Sequence, residues 1–100
     1  MGWLIAYDIA DAKRWRAVYR IVRGVGFRLQ YSLFWADISA AEARALADAL
    51  AAVIDPKADD VRLYPLDDDA TVRMMGPKPW RDGVTHAAAR RFDRCWSHDP

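Results

Sequence analysis

Apolar and polar positions change period several times along this chain. Trp3-Leu4-Ile5-Ala6-Tyr7 is an unbroken apolar run ending at Asp8, which predicts a short strand buried on both faces. From Ala12 to Val25 the spacing becomes helical, with Trp15, Val18, Ile21, Val22 and Val25 on one side. Asp11 is the expected N-cap, and Gly24 and Gly26 the expected stop, because glycine enters the left-handed cap conformation cheaply. From Phe27 to Ile38 the pattern alternates strictly: Phe27, Leu29, Tyr31, Leu33 and Trp35 share one parity, and Arg28, Gln30, Ser32, Phe34 and Ala36 the other. Such a run exceeds the usual strand of about five to six residues, so a break is expected near Tyr31-Ser32.

The second half has clearer punctuation. Ser39-Ala40-Ala41-Glu42 is a capping box, and Ala43, Leu46, Ala47, Leu50, Val53 and Ile54 form an apolar stripe stopped by Asp55-Pro56. Val61 to Leu66 reads as a strand whose Pro65, lacking an amide donor, belongs at an edge or an end. Residues 70–75 predict one more strand, and Val84, Ala88, Phe92 and either Cys95 or Trp96 sit at helical spacing in the tail. With the long run split, the order is βαββαβ. This predicts an α+β, ferredoxin-like sandwich over residues 1–78, with an extra strand at 70–75 and a tail over 79–100. The face away from the helices is expected to carry Leu4, Ala6, Phe34 and Ala36, an apolar surface that calls for a homodimer.

Composition adds limits. One hundred residues, 53% hydrophobic and 29% charged, suit a single folded domain and exclude a disordered polyelectrolyte. Cys95 stands alone, which excludes an intramolecular disulfide and a cysteine-rich metal cluster. No apolar stretch is long enough to span a bilayer, and Met1-Gly2-Trp3 lacks the basic start of a signal peptide, so a cytoplasmic protein without membrane contact is expected.

The net charge of +1 conceals a pattern. Residues 1–38 hold six basic and three acidic side chains, residues 39–69 three and eight, and residues 70–100 six and three. The chain is thus basic, acidic and basic again, which leaves room for a polyanionic partner that the total would argue against. Lys13, Arg16, Arg20 and Arg23 share one face of the first helix, and no acidic residue lies between Asp11 and Asp37. Such a face is either solvated charge or a stripe that tracks phosphates of RNA or double-stranded DNA, with little sequence preference.

Three ordered segments carry a resemblance. Leu4-Ile5-Ala6-Tyr7-Asp8-Ile9, Arg28-Leu29-Gln30-Tyr31-Ser32-Leu33-Phe34 and Asp60-Val61-Arg62-Leu63-Tyr64-Pro65-Leu66 resemble the CRISPR-associated protein 2 family over roughly residues 3–75. The resemblance implies a ferredoxin-like homodimer of the CRISPR adaptation machinery, which acquires spacers. Members are metal-dependent endonucleases on RNA or DNA, or non-catalytic bridges between DNA and the integrase, CRISPR-associated protein 1. It also implies that Asp8 faces its symmetry mate across the dimer and holds Mg²⁺ or Mn²⁺, with Arg28, Gln30, Ser32 and Phe34 in the family's second motif. Val72 to Met75 would pair with the partner's sheet. Leu33 stands where Val is usual, Ala12 follows Asp11 where a second acidic residue is common, and Trp15 stands where many members are basic.

The candidate site follows. Asp8 is either a strand-end carboxylate bonded to its own turn or one of two symmetry-related metal ligands, since paired carboxylates suit a hard divalent cation. Arg28 and Ser32 share a strand face and are either a surface arginine and a strand-break serine or side chains that approach a phosphate near Asp8; on the second reading Asp8, Arg28 and Ser32 are the expected catalytic group. His86 and His98 have no ligand spacing and are assigned nothing, and Cys95, without a second cysteine, reads as a packing residue.

Overall fold

A computed structural model describes residues 1–73 and the segment Phe92–Asp93. The elements are β1 (Gly2–Asp8), α1 (Ala12–Arg23), β2 (Phe27–Gln30), β3 (Leu33–Asp37), α2 (Ala40–Ala51), β4 (Asp60–Leu66), β5 (Val72–Arg73) and β6 (Phe92–Asp93). The first four strands form one sheet in the order β2-β3-β1-β4, with antiparallel neighbours throughout. Each helix therefore links two strands that run the same way with a third strand between them. The alternating run breaks at the expected place: residues 31–32 form a turn between β2 and β3. Pro65 lies on β4, which among the described residues pairs only with β1 and so leaves the missing donor on an edge strand.

Cross-strand partners share a face, so the register settles the sidedness. Ile5 lies opposite Phe34 and Leu63, and these residues join Tyr7, Ala36 and Val61 under the helices. Val18 and Val22 of α1 and Ala43, Leu46 and Leu50 of α2 complete this core. Leu4 lies opposite Trp35, and Ala6 opposite Leu33, on the other face. The expectation for Leu4 and Ala6 thus holds, whereas Phe34 and Ala36 belong to the helix-covered core. The β2–β3 register shifts between Arg28 and Gln30, and Leu29, at that bulge, lies on the face of Phe27 and Trp35. Leu29 and Trp35 are buried there with Leu4, Phe27, Leu33, Leu66 and Val72 packed around them. This second face is therefore covered in part by the chain itself, not left open as expected.

The helix ends also refine the reading. Asp11 caps α1 by accepting from the Arg14 amide at 3.0 Å. The Ser39 box is closed in both directions, Glu42 N–H to Ser39 Oγ at 3.1 Å and Ser39 N–H to Glu42 Oε1 at 2.8 Å. These backbone donors hold the Asp11 and Glu42 carboxyls below the usual carboxylate range. Gly24, at the end of α1, keeps a right-handed φ of −74°, so this glycine does not take the left-handed conformation expected of it. Gly26 is required for another reason: a Cβ there would collide with the Trp35 carbonyl of β3. Val25 lies beyond the helix and is exposed, and Ala47 falls outside the buried stripe of α2.

Beyond β4, the extra strand begins at Val72, two residues later than expected. Val72–Arg73 pairs in parallel with Phe92–Asp93 as a separate two-stranded sheet. The tail helix expected around Phe92 is therefore replaced by a strand at that point. The rest of that helix, Met74, Met75 and the boundary at 78 lie outside the described residues. Among the described residues no helix is long and apolar enough to cross a membrane.

Candidate functional site

Asp8 ends β1 and is exposed. Its carboxylate has no hydrogen-bond or ion-pair partner among the described residues, so the alternative in which it bonds its own turn does not apply. Its cross-strand neighbour on β4 is Asp60, whose Oδ2 accepts from Arg62 Nε at 2.9 Å. The sheet register thus puts a free carboxylate and an engaged one side by side. Among the described residues, no group of three or more His, Cys, Asp or Glu could hold a metal ion. One chain supplies Asp8 as a free donor, short of what a divalent cation needs. A twofold mate would double it.

Tyr7 N–H donates to the Ser32 carbonyl at 3.1 Å, which ties the β2–β3 turn to the end of β1. That bond brings Tyr31 and Ser32 beside Asp8. Together with Tyr7, Trp15 and Arg16 they line a cleft of about 540 Å³. Asp8, Ser32 and Arg16 therefore share one concavity. Arg28 is not among the lining residues. Its guanidinium lies 5.9 Å from the centre of the Tyr19 ring, so the expected group of Asp8, Arg28 and Ser32 is divided between two neighbouring places.

Lys13, Arg16, Arg20 and Arg23 are all exposed on α1, and none has a carboxylate partner among the described residues. Arg23 is also placed over Tyr19, at 5.7 Å. Arg14 behaves differently. Its Nε donates to Asp59 Oδ2 at 2.8 Å, and Asp59 has no exposed side-chain surface. Asp59 further accepts from Ala10 N–H at 2.9 Å and Asp55 N–H at 2.8 Å. The Arg14 guanidinium first, then the backbone donors, hold its carboxyl far below the usual range, against a burial effect of opposite sign.

Sequence reasoning passed over a group of rings at this site. Trp15 stacks with Tyr19 at 5.1 Å and 7°, and with Tyr31 at 5.2 Å and 21°. Tyr7 meets the edge of Trp15 and stacks on Phe34. The Tyr7 hydroxyl is buried with no hydrogen-bond partner among the described residues. Burial raises its pKa, opposed by the nearby positive charge of Arg28. The four-residue spacing of Trp15 and Tyr19 on one helix face was the available signal. Tyr31 could be added only once the turn was located.

These features define a small α+β protein with a free carboxylate at the rim of a cleft and unpaired cations on the adjoining helix. The family model described as CRISPR associated protein Cas2 matches residues 1–74. The CRISPR-associated endoribonuclease Cas2 2 of Thermodesulfovibrio yellowstonii is 36% identical over 76 residues, covering 76% of this chain and 84% of that one. The CRISPR-associated endoribonuclease Cas2 3 of Chloroflexus aurantiacus is 41% identical over 75 residues, 75% and 81% of the two chains. The crystal structure of Streptococcus pyogenes Cas2 aligns with a TM-score of 0.64 at 31% identity, over 69% of this chain and 89% of that one. The chain belongs to the CRISPR-associated protein Cas2 family.

Proposed function

We propose that this chain acts as a ferredoxin-like homodimer in CRISPR spacer acquisition and cleaves phosphodiester bonds of RNA or DNA with a divalent metal. The sheet order β2-β3-β1-β4 with both helices on one face supports the fold. The partly exposed Leu4, Leu33 and Leu66 of the second face support a dimer contact. The names of the relatives, endoribonucleases, support the activity. The observation that carries the reading is the unpartnered Asp8 carboxylate at the rim of a cleft shared with Arg16 and Ser32.

Two Asp8 carboxylates related by the twofold axis would hold Mg²⁺ or Mn²⁺, which when bound supplies a coordinated water of lowered pKa and neutralises phosphate charge. Arg16 offsets the negative charge of the scissile phosphate, and the Ser32 hydroxyl donates to one of its oxygens. Arg28 acts on the strand farther out, over Tyr19. The test uses labelled RNA and duplex DNA with Mg²⁺ or EDTA, wild type beside Asp8→Ala. Cleavage that needs the metal and is lost in Asp8→Ala is expected. Equal cleavage by the two proteins overturns the reading.

A second reading has its own support. The free cations Lys13, Arg16, Arg20 and Arg23, doubled in a dimer, suit a non-catalytic scaffold that bridges DNA and the CRISPR integrase. Binding that survives Asp8→Ala in a preparation without turnover favours it.

A further inference from the structure

Tyr31 is 69% exposed, yet its ring is held against Trp15 at 5.2 Å. Exposed aromatic side chains normally retain rotamer freedom, and ordering one on binding costs free energy. Here that freedom is already restricted. The ring leans on Trp15, Trp15 stacks with Tyr19, and Tyr19 carries the Arg23 and Arg28 guanidiniums at 5.7 and 5.9 Å. The turn beneath Tyr31 is fixed to β1 by the bond from Tyr7 N–H to the Ser32 carbonyl. The exposed ring thus borders the cleft that Arg16 also lines, and the ring stack behind it carries two further guanidiniums at Tyr19.

We infer that Tyr31, backed by Trp15, is a ledge on which an unpaired base of single-stranded nucleic acid stacks, while Arg16, Arg23 and Arg28 take the adjoining phosphates. The inference rests on the nucleic-acid reading above and names the form of substrate it applies to. A preordered ring with a solvent-facing side and neighbouring guanidiniums is what sequence-tolerant single-strand binding uses. The charges agree: Arg16, Arg23 and Arg28 are exposed, with no carboxylate partner among the described residues. A blunt duplex offers no base to the ledge, since its bases are stacked and paired. A frayed end or a single-stranded extension does.

The experiment compares four probes: a short blunt DNA duplex, the same duplex with a single-stranded extension, and single-stranded DNA and RNA of one sequence. Affinity is measured by fluorescence anisotropy with full-length protein. Tyr31→Ala is expected to lose about tenfold on the extended duplex and on both single strands, and nothing on the blunt duplex. Tyr31→Phe, which keeps the ring, is expected to bind like wild type. Unchanged affinity for the single strands in Tyr31→Ala, or an equal loss on the blunt duplex, overturns the ledge. Circular dichroism of both variants excludes unfolding as the cause. Arg16→Ala with Arg20→Ala reports on the stripe separately. If that pair leaves blunt-duplex affinity unchanged while Tyr31→Ala still loses the extension, the stripe reading fails and the ledge stands.

Discussion

Arg14 and Asp59 lie 45 positions apart in the chain, yet Arg14 Nε donates to Asp59 Oδ2 at 2.8 Å. The same carboxylate receives the Ala10 and Asp55 amides, so one side chain ties the β1–α1 loop, α1 and the loop before β4. Asp59→Ala removes the acceptor for two backbone amides and strands a guanidinium. A fall in Tm of about 10 °C is expected in thermal unfolding near neutral pH.

That carboxyl also sets a dependence on acid. Its folded-state pKa is depressed, so its contribution is complete above the unfolded value of about 3.9 and is lost as pH falls towards the folded value. The stability gap between wild type and Asp59→Asn should therefore narrow on going from neutral to strongly acid solution. Urea titrations at both conditions check it, and a gap that stays constant contradicts the assignment.

Tyr7 has the opposite sign. Burial raises its pKa, so stability from the neutral phenol is complete below about 10 and lost as pH rises past it. Tyr7→Phe deletes a buried hydroxyl that has no partner among the described residues, so near neutral pH it should be neutral or stabilising by about 1 kcal/mol. Its advantage should grow in alkaline solution, measured by urea unfolding on either side of the phenol pKa.

Asp8 separates function from stability. It is exposed, unpartnered and directly opposite another carboxylate, Asp60. Like charges in that position repel, so Asp8→Ala should leave stability within about 0.5 kcal/mol of wild type or slightly raise it. Loss of metal-dependent cleavage with an unchanged melting curve is the expected combination.

The stripe is tested by salt. Replacing both Arg16 and Arg20 by Ala should lower the slope of log affinity against log salt by about 1.8 for duplex DNA, near 0.9 for each phosphate that is no longer neutralised. A wild-type slope would make these residues solvated surface.

The sequence by itself determined the elements and their order from β1 to β4, but not the strand at Phe92–Asp93, where the spacing is helical. Alternation marked β2 and β3, the Ser39 and Asp11 caps started both helices, and Pro65 marked an edge, because these signals are local and depend on neighbours within a few residues. Asp8, Ser32 and Arg16 were also readable as candidates, since their residue types and the flanking motif are local. What only the tertiary structure decided concerns sidedness and distant pairs. Phe34 and Ala36 lie under the helices because Ile5 is opposite Phe34, a register that no single strand contains. Arg28 sits over Tyr19, and it is Tyr31 and Ser32 of the turn that line the Asp8 cleft, a placement set by how the turn packs against the end of β1. Asp59 meets Arg14, and Tyr31 meets Trp15, for one reason: these contacts join side chains far apart in the chain, and their positions follow from the pairing and packing of whole elements.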